Sequence, residues 1–216
     1  GYPDNLLGLI LTCLTIIVPL MTAITFHEVA HGWVAYRCGD STAKMLGRLS
    51  LNPIKHLDPV GSVLVPAATY WLGGMLFGWA KPVPVNFYQL KHPKRDTILV
   101  ALAGPFANLL MAIFWLTILK LAPLINAEPW GNFVGTISLL GAWLNAILML
   151  FNLLPIPPLD GSRVIAALLP KHWQAHYETM APYSMLILIA LIASKLLPLA
   201  FLFRLARDLL QLLSSF

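Results

Sequence analysis

The sequence predicts an all-α membrane protein: a polytopic bundle of transmembrane helices with a re-entrant or interfacial segment and a short extended edge. Three observations carry this expectation. The 216 residues are 58% hydrophobic and 11% charged, with a mean hydropathy of +0.76, too apolar for a water-soluble domain. Apolar segments recur at roughly 5–35, 59–79, 97–122, 131–159 and 180–203, and a hydrocarbon core of about 30 Å takes about 20 residues of helix. The basic residues stand singly in short loops, so the net charge of +5 reports membrane topology rather than a stripe for nucleic acid. One membrane-embedded domain over 1–216 is expected, with a core at about 5–165 and C-terminal helices at about 180–216.

The first segment carries no charged residue between Asp4 and His27. It is longer than the apolar core of a signal peptide and lacks a small-residue cleavage site after it, so it is expected to be a retained span. The stretch 36–58 holds Arg37, Lys44, Arg48 and Lys55, 80–96 holds Lys81, Lys91, Lys94 and Arg95, and 160–179 holds Arg163 and Lys171. These three stretches are expected on the cytoplasmic side, and 123–130, with Glu128 alone, on the other. Segment 59–79 is then flanked by positive loops on both sides yet is too short to cross twice, so it should dip in and return or lie tilted in the interface. Asp58-Pro59-Val60-Gly61 opens it, and Gly73-Gly74 with Gly78 punctuates its end. Next, Trp79-Ala80-Lys81-Pro82-Val83-Pro84-Val85 has prolines at alternate positions, which forbids helix and suits either an extended edge that could pair with an unfolded chain or an ordinary loop.

Helix 97–122 contains Gly104-Pro105-Phe106-Ala107-Asn108, where small residues let helices approach closely and Pro frees a carbonyl. The next segment closes on Asn152 and, further on, Leu159-Asp160-Gly161. The tail from 196 to 216 gathers Arg204, Arg207, Asp208 and Gln211 on one helical face and should lie along the interface, with Lys195 free to snorkel. Cys13 and Cys38 give no disulfide framework.

The chemistry concentrates at His27-Glu28-Val29-Ala30-His31. Residues four apart share one helical face, so His27 and His31 can offer two imidazole nitrogens to one tetrahedral metal. Glu28, beside them but off the ligand axis, can serve as general base towards a water and later protonate a leaving amine. Ionisable groups are costly in hydrocarbon and mark function there. A catalytic zinc site generally uses three protein ligands, and Asp160, the first acidic residue after Glu128, supplies a carboxylate at the same membrane depth as the two histidines. His172 and His176 repeat the spacing, but Trp173 replaces the Glu and they fall in a polar stretch read as an exposed loop. His56 and His92 read as solvated loop histidines, His56 being a weak candidate for a regulatory contact near Asp58. Asn108 and Asn152 are buried amides that need partners, and either one could hold a substrate backbone or stabilise an oxyanion.

Taken together, the pentapeptide at 27–31 in a first span, Gly104 to Asn108 in a middle one, and Asn152 to Gly161 ending in Leu-Asp-Gly resemble the site-2 protease family of intramembrane zinc metalloproteases, over roughly residues 20–165. The resemblance implies one Zn2+ per chain held by His27, His31 and Asp160, Glu28 as catalytic base, and Asn152 near the substrate. It implies cleavage of a transmembrane protein or peptide, within the lipid bilayer, after local unwinding of its helix. The implied location is a bacterial cell membrane, multi-pass, with the site towards the cytoplasm. No PDZ-like or nucleotide-binding module fits the length, so a minimal member without a helix before the core is expected. Two other classes compete: a membrane transporter whose histidines bind metal cargo, and a relative that binds membrane helices without cutting them. The complete set of ligands and base argues against the second, and the role of Glu28 separates the first.

Overall fold

The structure is a computed structural model and describes residues 5–73, 77–197 and 199–216. Among these residues there are helices and no strand. Helix α1 is Leu6–Arg37, α2 Thr42–Met45, α3 Val65–Gly73, α4 Pro93–Leu121, α5 Trp130–Asn152, α6 Asp160–Leu168, α7 Lys171–Met180, α8 Ser184–Ala193 and α9 Leu199–Ser214. Four helical stretches are long and apolar enough to cross a bilayer: Leu6–Arg37, Pro93–Leu124, Trp130–Asn152 and Lys171–Ala193.

Local chemistry sets the ends of these helices. Asn5 caps α1, its side-chain oxygen accepting from the Gly8 N–H at 3.0 Å. Helix α1 stops at Cys38, after which Gly39 takes φ +112°, a left-handed turn open to glycine. The turn delivers Asp40, fully buried, whose carboxylate accepts from the backbone N–H of Thr42 at 3.0 Å and of Asn86 at 2.7 Å. Residues 40 and 86 are thereby joined across the long connection between α1 and α4. Pro93 opens α4 at a position where its missing N–H costs nothing, and the buried Asp96 accepts from the His92 N–H at 2.8 Å.

The side chains near the end of α1 meet those near the start of α4, and the start of α5 meets the end of α4, so the three helices alternate in direction. Close approach comes from small residues. A Cβ at Gly141 would lie 2.5 Å from the Trp115 ring, so α5 can seat the indole of α4 there only as glycine. Ala112, Trp115 and Leu116 of α4 join Ile137, Ala142 and Ala146 of α5 and Ala206 and Leu210 of α9 in one buried cluster. The tail therefore presses its apolar face on α4 and α5 and leaves Arg204, Arg207 and Asp208 exposed.

The two ends of segment 59–79 lie together. A π-helical turn, Pro59–Leu64, leads into α3, and the Trp79 N–H then donates to the Gly61 carbonyl at 2.9 Å while the Ser62 hydroxyl donates to the Trp79 carbonyl at 2.9 Å. Asp58 caps the entry, and the backbone N–H of Val60 above all holds its carboxyl below the usual range. Gly74 lies outside the described residues. The stretch after Trp79 runs without strand pairing: the N–H groups of Lys81, Val83 and Asn86 go to His56, Glu28 and Asp40.

Three sequence expectations change. The last helical stretch long and apolar enough to cross is Lys171–Ala193, where the sequence shows its apolar segment at 180–203, because α7 continues through one 3-10 turn, Ala181–Tyr183, into α8 and the chain breaks at Lys195, where φ is +59°. His172 and His176 consequently stand on a helix and not in a loop. His56 is not solvated either: it is fully buried, its Nε2 donating to the Ser50 carbonyl at 2.8 Å.

Candidate metal centre

His27 and His31 are one turn apart on the inward face of α1, both buried. Each ring is oriented by α4 through its Nδ1. That of His27 lies 2.7 Å from Asn108 Oδ1, and that of His31 lies 2.6 Å from the Val100 carbonyl. Both partners are acceptors, so both Nδ1 atoms carry the hydrogen and both Nε2 atoms present lone pairs inward. The two Nε2 atoms are 3.1 Å apart.

Asp160 completes the cluster from the start of α6. The chain reaches it through a tight return, since a Cβ at Gly161 would lie 2.1 Å from the Leu153 carbonyl oxygen and glycine alone permits the approach. Its buried Oδ2 lies 3.1 Å from His27 Nε2 and 3.2 Å from His31 Nε2, with no hydrogen-bond donor assigned to it. Three electron-pair donors thus converge on one point inside a protein, an arrangement that repels itself unless a cation sits among them. His27, His31 and Asp160 are the group that could hold a metal ion among the described residues.

The space for an ion is kept by Gly104. A Cβ there would lie 2.4 Å from His31 Nε2 and 2.7 Å from His27 Nε2. The small residue that the sequence offered as a packing signal also forms the wall of the cluster.

The remaining site residues divide sharply. Glu28, adjacent in sequence to His27, turns its carboxylate to the proline-rich stretch, where Oε2 accepts from the Val83 N–H at 2.8 Å. Pro82 and Pro84 have no N–H, so Val83 is the single amide donor between Lys81 and Val85. Asn108 is fully buried and occupied: Oδ1 accepts from His27, and Nδ2 donates to the Ala23 carbonyl at 3.3 Å and to Asn145 Oδ1 at 2.9 Å. Both Nδ2 hydrogens are thereby directed at protein acceptors, and Oδ1 faces His27. Asn152 is half-buried and donates to the Leu148 carbonyl of its own helix at 2.9 Å, a bond that does not bring it to the cluster. His172 and His176 are exposed on α7 and are not members of the cluster.

Sequence reasoning missed Asn145 and the Val83 amide. A signal for Asn145 existed, since it is an amide within an apolar span seven residues before Asn152, and buried amides in hydrocarbon demand partners. The Val83 amide has no side-chain signature beyond its two flanking prolines.

The model of one protein family, described as Peptidase family M50, matches residues 15–129 and 118–193. The chain belongs to this family. A Bacillus subtilis (strain 168) protein named "Putative zinc metalloprotease YwhC" is 41% identical over 84% of this chain and 81% of its own length. A Mycolicibacterium smegmatis protein named "Putative zinc metalloprotease Rip2" is 30% identical over 82% of this chain and 66% of its own length. "Zinc metalloprotease MJ0392" of Methanocaldococcus jannaschii is 26% identical over 71% of this chain and 34% of its own. No solved structure gives a significant match. Family and helices together make this M50 peptidase a membrane metalloprotease.

Proposed function

We propose that this chain is an intramembrane zinc metalloprotease of the site-2 protease type, cleaving peptide bonds within or near transmembrane segments of membrane proteins, as in regulated intramembrane proteolysis. His27, His31 and Asp160 hold one Zn2+, and Glu28 is the base. The observation that carries the reading is the convergence of two Nε2 lone pairs and one carboxylate, with both histidines and the neighbouring glutamate on a helix apolar enough to span a bilayer. When bound, zinc supplies a Lewis acid that polarises a peptide carbonyl and brings a water towards neutral pKa.

The chain's own groups do the rest. The Glu28 carboxylate, steadied through Oε2 by the Val83 N–H, takes a proton from water as the water oxygen bonds to the scissile carbonyl carbon. The same carboxyl then returns that proton to the leaving amide nitrogen as the C–N bond breaks. Asn108 and Val100 keep both imidazoles turned inward throughout. A substrate must arrive with its helix locally unwound, because helical amides are bonded internally and screen the carbonyl.

The orientation is part of the proposal. The connections 38–92 and 153–170 leave the bundle at the end where the cluster lies, and they hold most of the loop lysines and arginines, which supports a site facing the cytoplasm in a bacterial cell membrane. The test uses purified protein in detergent with single-span substrates. Wild-type protein should carry one equivalent of zinc and cut, and Glu28→Gln should carry the same zinc without cutting. Zinc well below one equivalent in the wild type, unchanged on His27→Ala, would sink the reading. A transporter would instead keep its zinc flux in Glu28→Gln.

A further inference from the structure

We infer that Asn145 is a positioning residue for the metal centre, acting through Asn108 to fix which nitrogen of His27 faces the ion; this rests on the metal reading above. The three side chains form a relay across three helices. Asn145 of α5 is fully buried, its Nδ2 donating to the Gly141 carbonyl at 2.8 Å and its Oδ1 accepting from Asn108 Nδ2 at 2.9 Å. Asn108 of α4 passes its own Oδ1 to His27 Nδ1 of α1 at 2.7 Å.

The relay has a direction, and backbone carbonyls set it. A carbonyl can only accept, so Gly141 forces the Asn145 amide to present nitrogen to α5 and oxygen to α4. That oxygen can only accept in turn, which turns the Asn108 nitrogen towards it and the Asn108 oxygen towards His27. An acceptor at Nδ1 keeps the hydrogen on that nitrogen and the lone pair on Nε2, the atom 3.1 Å from Asp160. Reverse one amide and the Asn108 nitrogen would face His27, selecting the tautomer whose Nε2–H points into the cluster.

The other anchor of Asn108 is weaker. Its bond to the Ala23 carbonyl is 3.3 Å long, beyond the ordinary range for N–H···O, so Asn145 provides the better of the two contacts that choose the amide orientation. Asn145 touches neither the ligands nor Glu28 through any of these bonds, and a water-soluble core could satisfy such an amide with solvent. Between three apolar helices the partner must be protein.

The experiment measures zinc affinity by chelator competition on purified apoprotein, with folding followed by circular dichroism. Asn145→Leu, similar in shape but unable to accept, should weaken zinc by ~10–100-fold, the effect of losing an outer contact to a ligating histidine. Asn145→Asp keeps an oxygen towards Asn108 in either protonation state and should bind zinc about as the wild type does. In an Asn108→Ala background, Asn145→Leu should add nothing further, since its effect runs through that residue. Wild-type affinity in folded Asn145→Leu, or the same loss repeated in the Asn108→Ala background, overturns the relay. If Asn145→Leu does not fold, Asn145→Asp decides alone, and a loss equal to that of Asn108→Ala overturns it. A wild-type protein that takes up no zinc would instead overturn the metal reading itself.

Discussion

The chain contains two His-x-x-x-His pairs on helices, and they meet different fates. His27 and His31 are buried, each has its Nδ1 bound by α4, and Asp160 arrives from α6 as a third donor. His172 and His176 are exposed on α7, where the His176 Nδ1 turns back to the His172 carbonyl of its own helix at 2.9 Å. Trp173 stands between them, its ring 5.8 Å from one imidazole and 6.2 Å from the other. Spacing supplies a pair of nitrogens in both places. Neighbouring helices decide whether those nitrogens are aimed, and among the described residues it is the first pair whose rings bond another helix.

The largest effect should come from removing a donor. Asp160→Ala and His27→Ala leave two donors in a site built for three, so zinc affinity should fall by more than the ~10–100-fold typical of outer contacts, and cleavage should vanish with it. His172→Ala and His176→Ala, assayed for zinc by elemental analysis in the same preparations, should leave the zinc content unchanged. Zinc lost equally from both pairs would erase the contrast. Next in size is Glu28→Gln, which separates binding from chemistry: turnover should drop by ~10²–10⁴-fold, the usual worth of a positioned base, while zinc stays at one equivalent.

The first pair was legible in the sequence because two independent readings agreed on it. Spacing placed His27 and His31 on one face, and loop charges returned Asp160 to the same depth. The helical class was legible for a similar reason, since a bilayer accepts few backbone solutions. The partners of Asn108 and Asn145 were not legible. A sequence shows that a buried amide needs partners, but which carbonyl it meets depends on helix rotation, which no residue announces. The hold on Glu28 was hidden further, because its donor is a backbone N–H, although Pro82 and Pro84 did leave Val83 as the lone donor between Lys81 and Val85. The last long helical stretch begins nine residues before the last apolar segment, at 171 against 180, because the polar stretch Lys171 to Met180 is helical despite its low hydropathy.

A smaller change tests the space between the donors. Gly104→Ala introduces one methyl group where the nearest atom, His31 Nε2, is 2.4 Å away, so the imidazoles must move off their common point. Zinc affinity should fall by roughly 10–100-fold, in the range seen when ligand orientation is disturbed. Gly135→Ala is the matched control, because its nearest neighbour, Ala122 Cβ, is 4.0 Å away and the methyl group fits in ordinary contact. A chelator titration of both variants should separate them. Equal affinities would mean that the cluster tolerates rotation, and the contrast between an aimed and an unaimed pair would lose its physical basis.

The smallest effect is the most direct challenge to the comparison. Trp173→Glu places an acidic residue directly after His172, so that α7 repeats the histidine, glutamate and histidine order of residues 27, 28 and 31. If that order were sufficient, the variant should acquire a second zinc. The geometry says otherwise, because a helix offers only the two nitrogens, both rings remain exposed on the surface of α7, and the His176 ring bond stays within α7. A structural or catalytic zinc needs at least a third protein ligand and oriented rings. Zinc should therefore stay at one equivalent at concentrations that saturate the first site, and Trp173→Glu combined with Asp160→Ala should bind no more than Asp160→Ala alone. A tight second equivalent in the first variant would show that order along the helix can substitute for the partners that α4 and α6 provide.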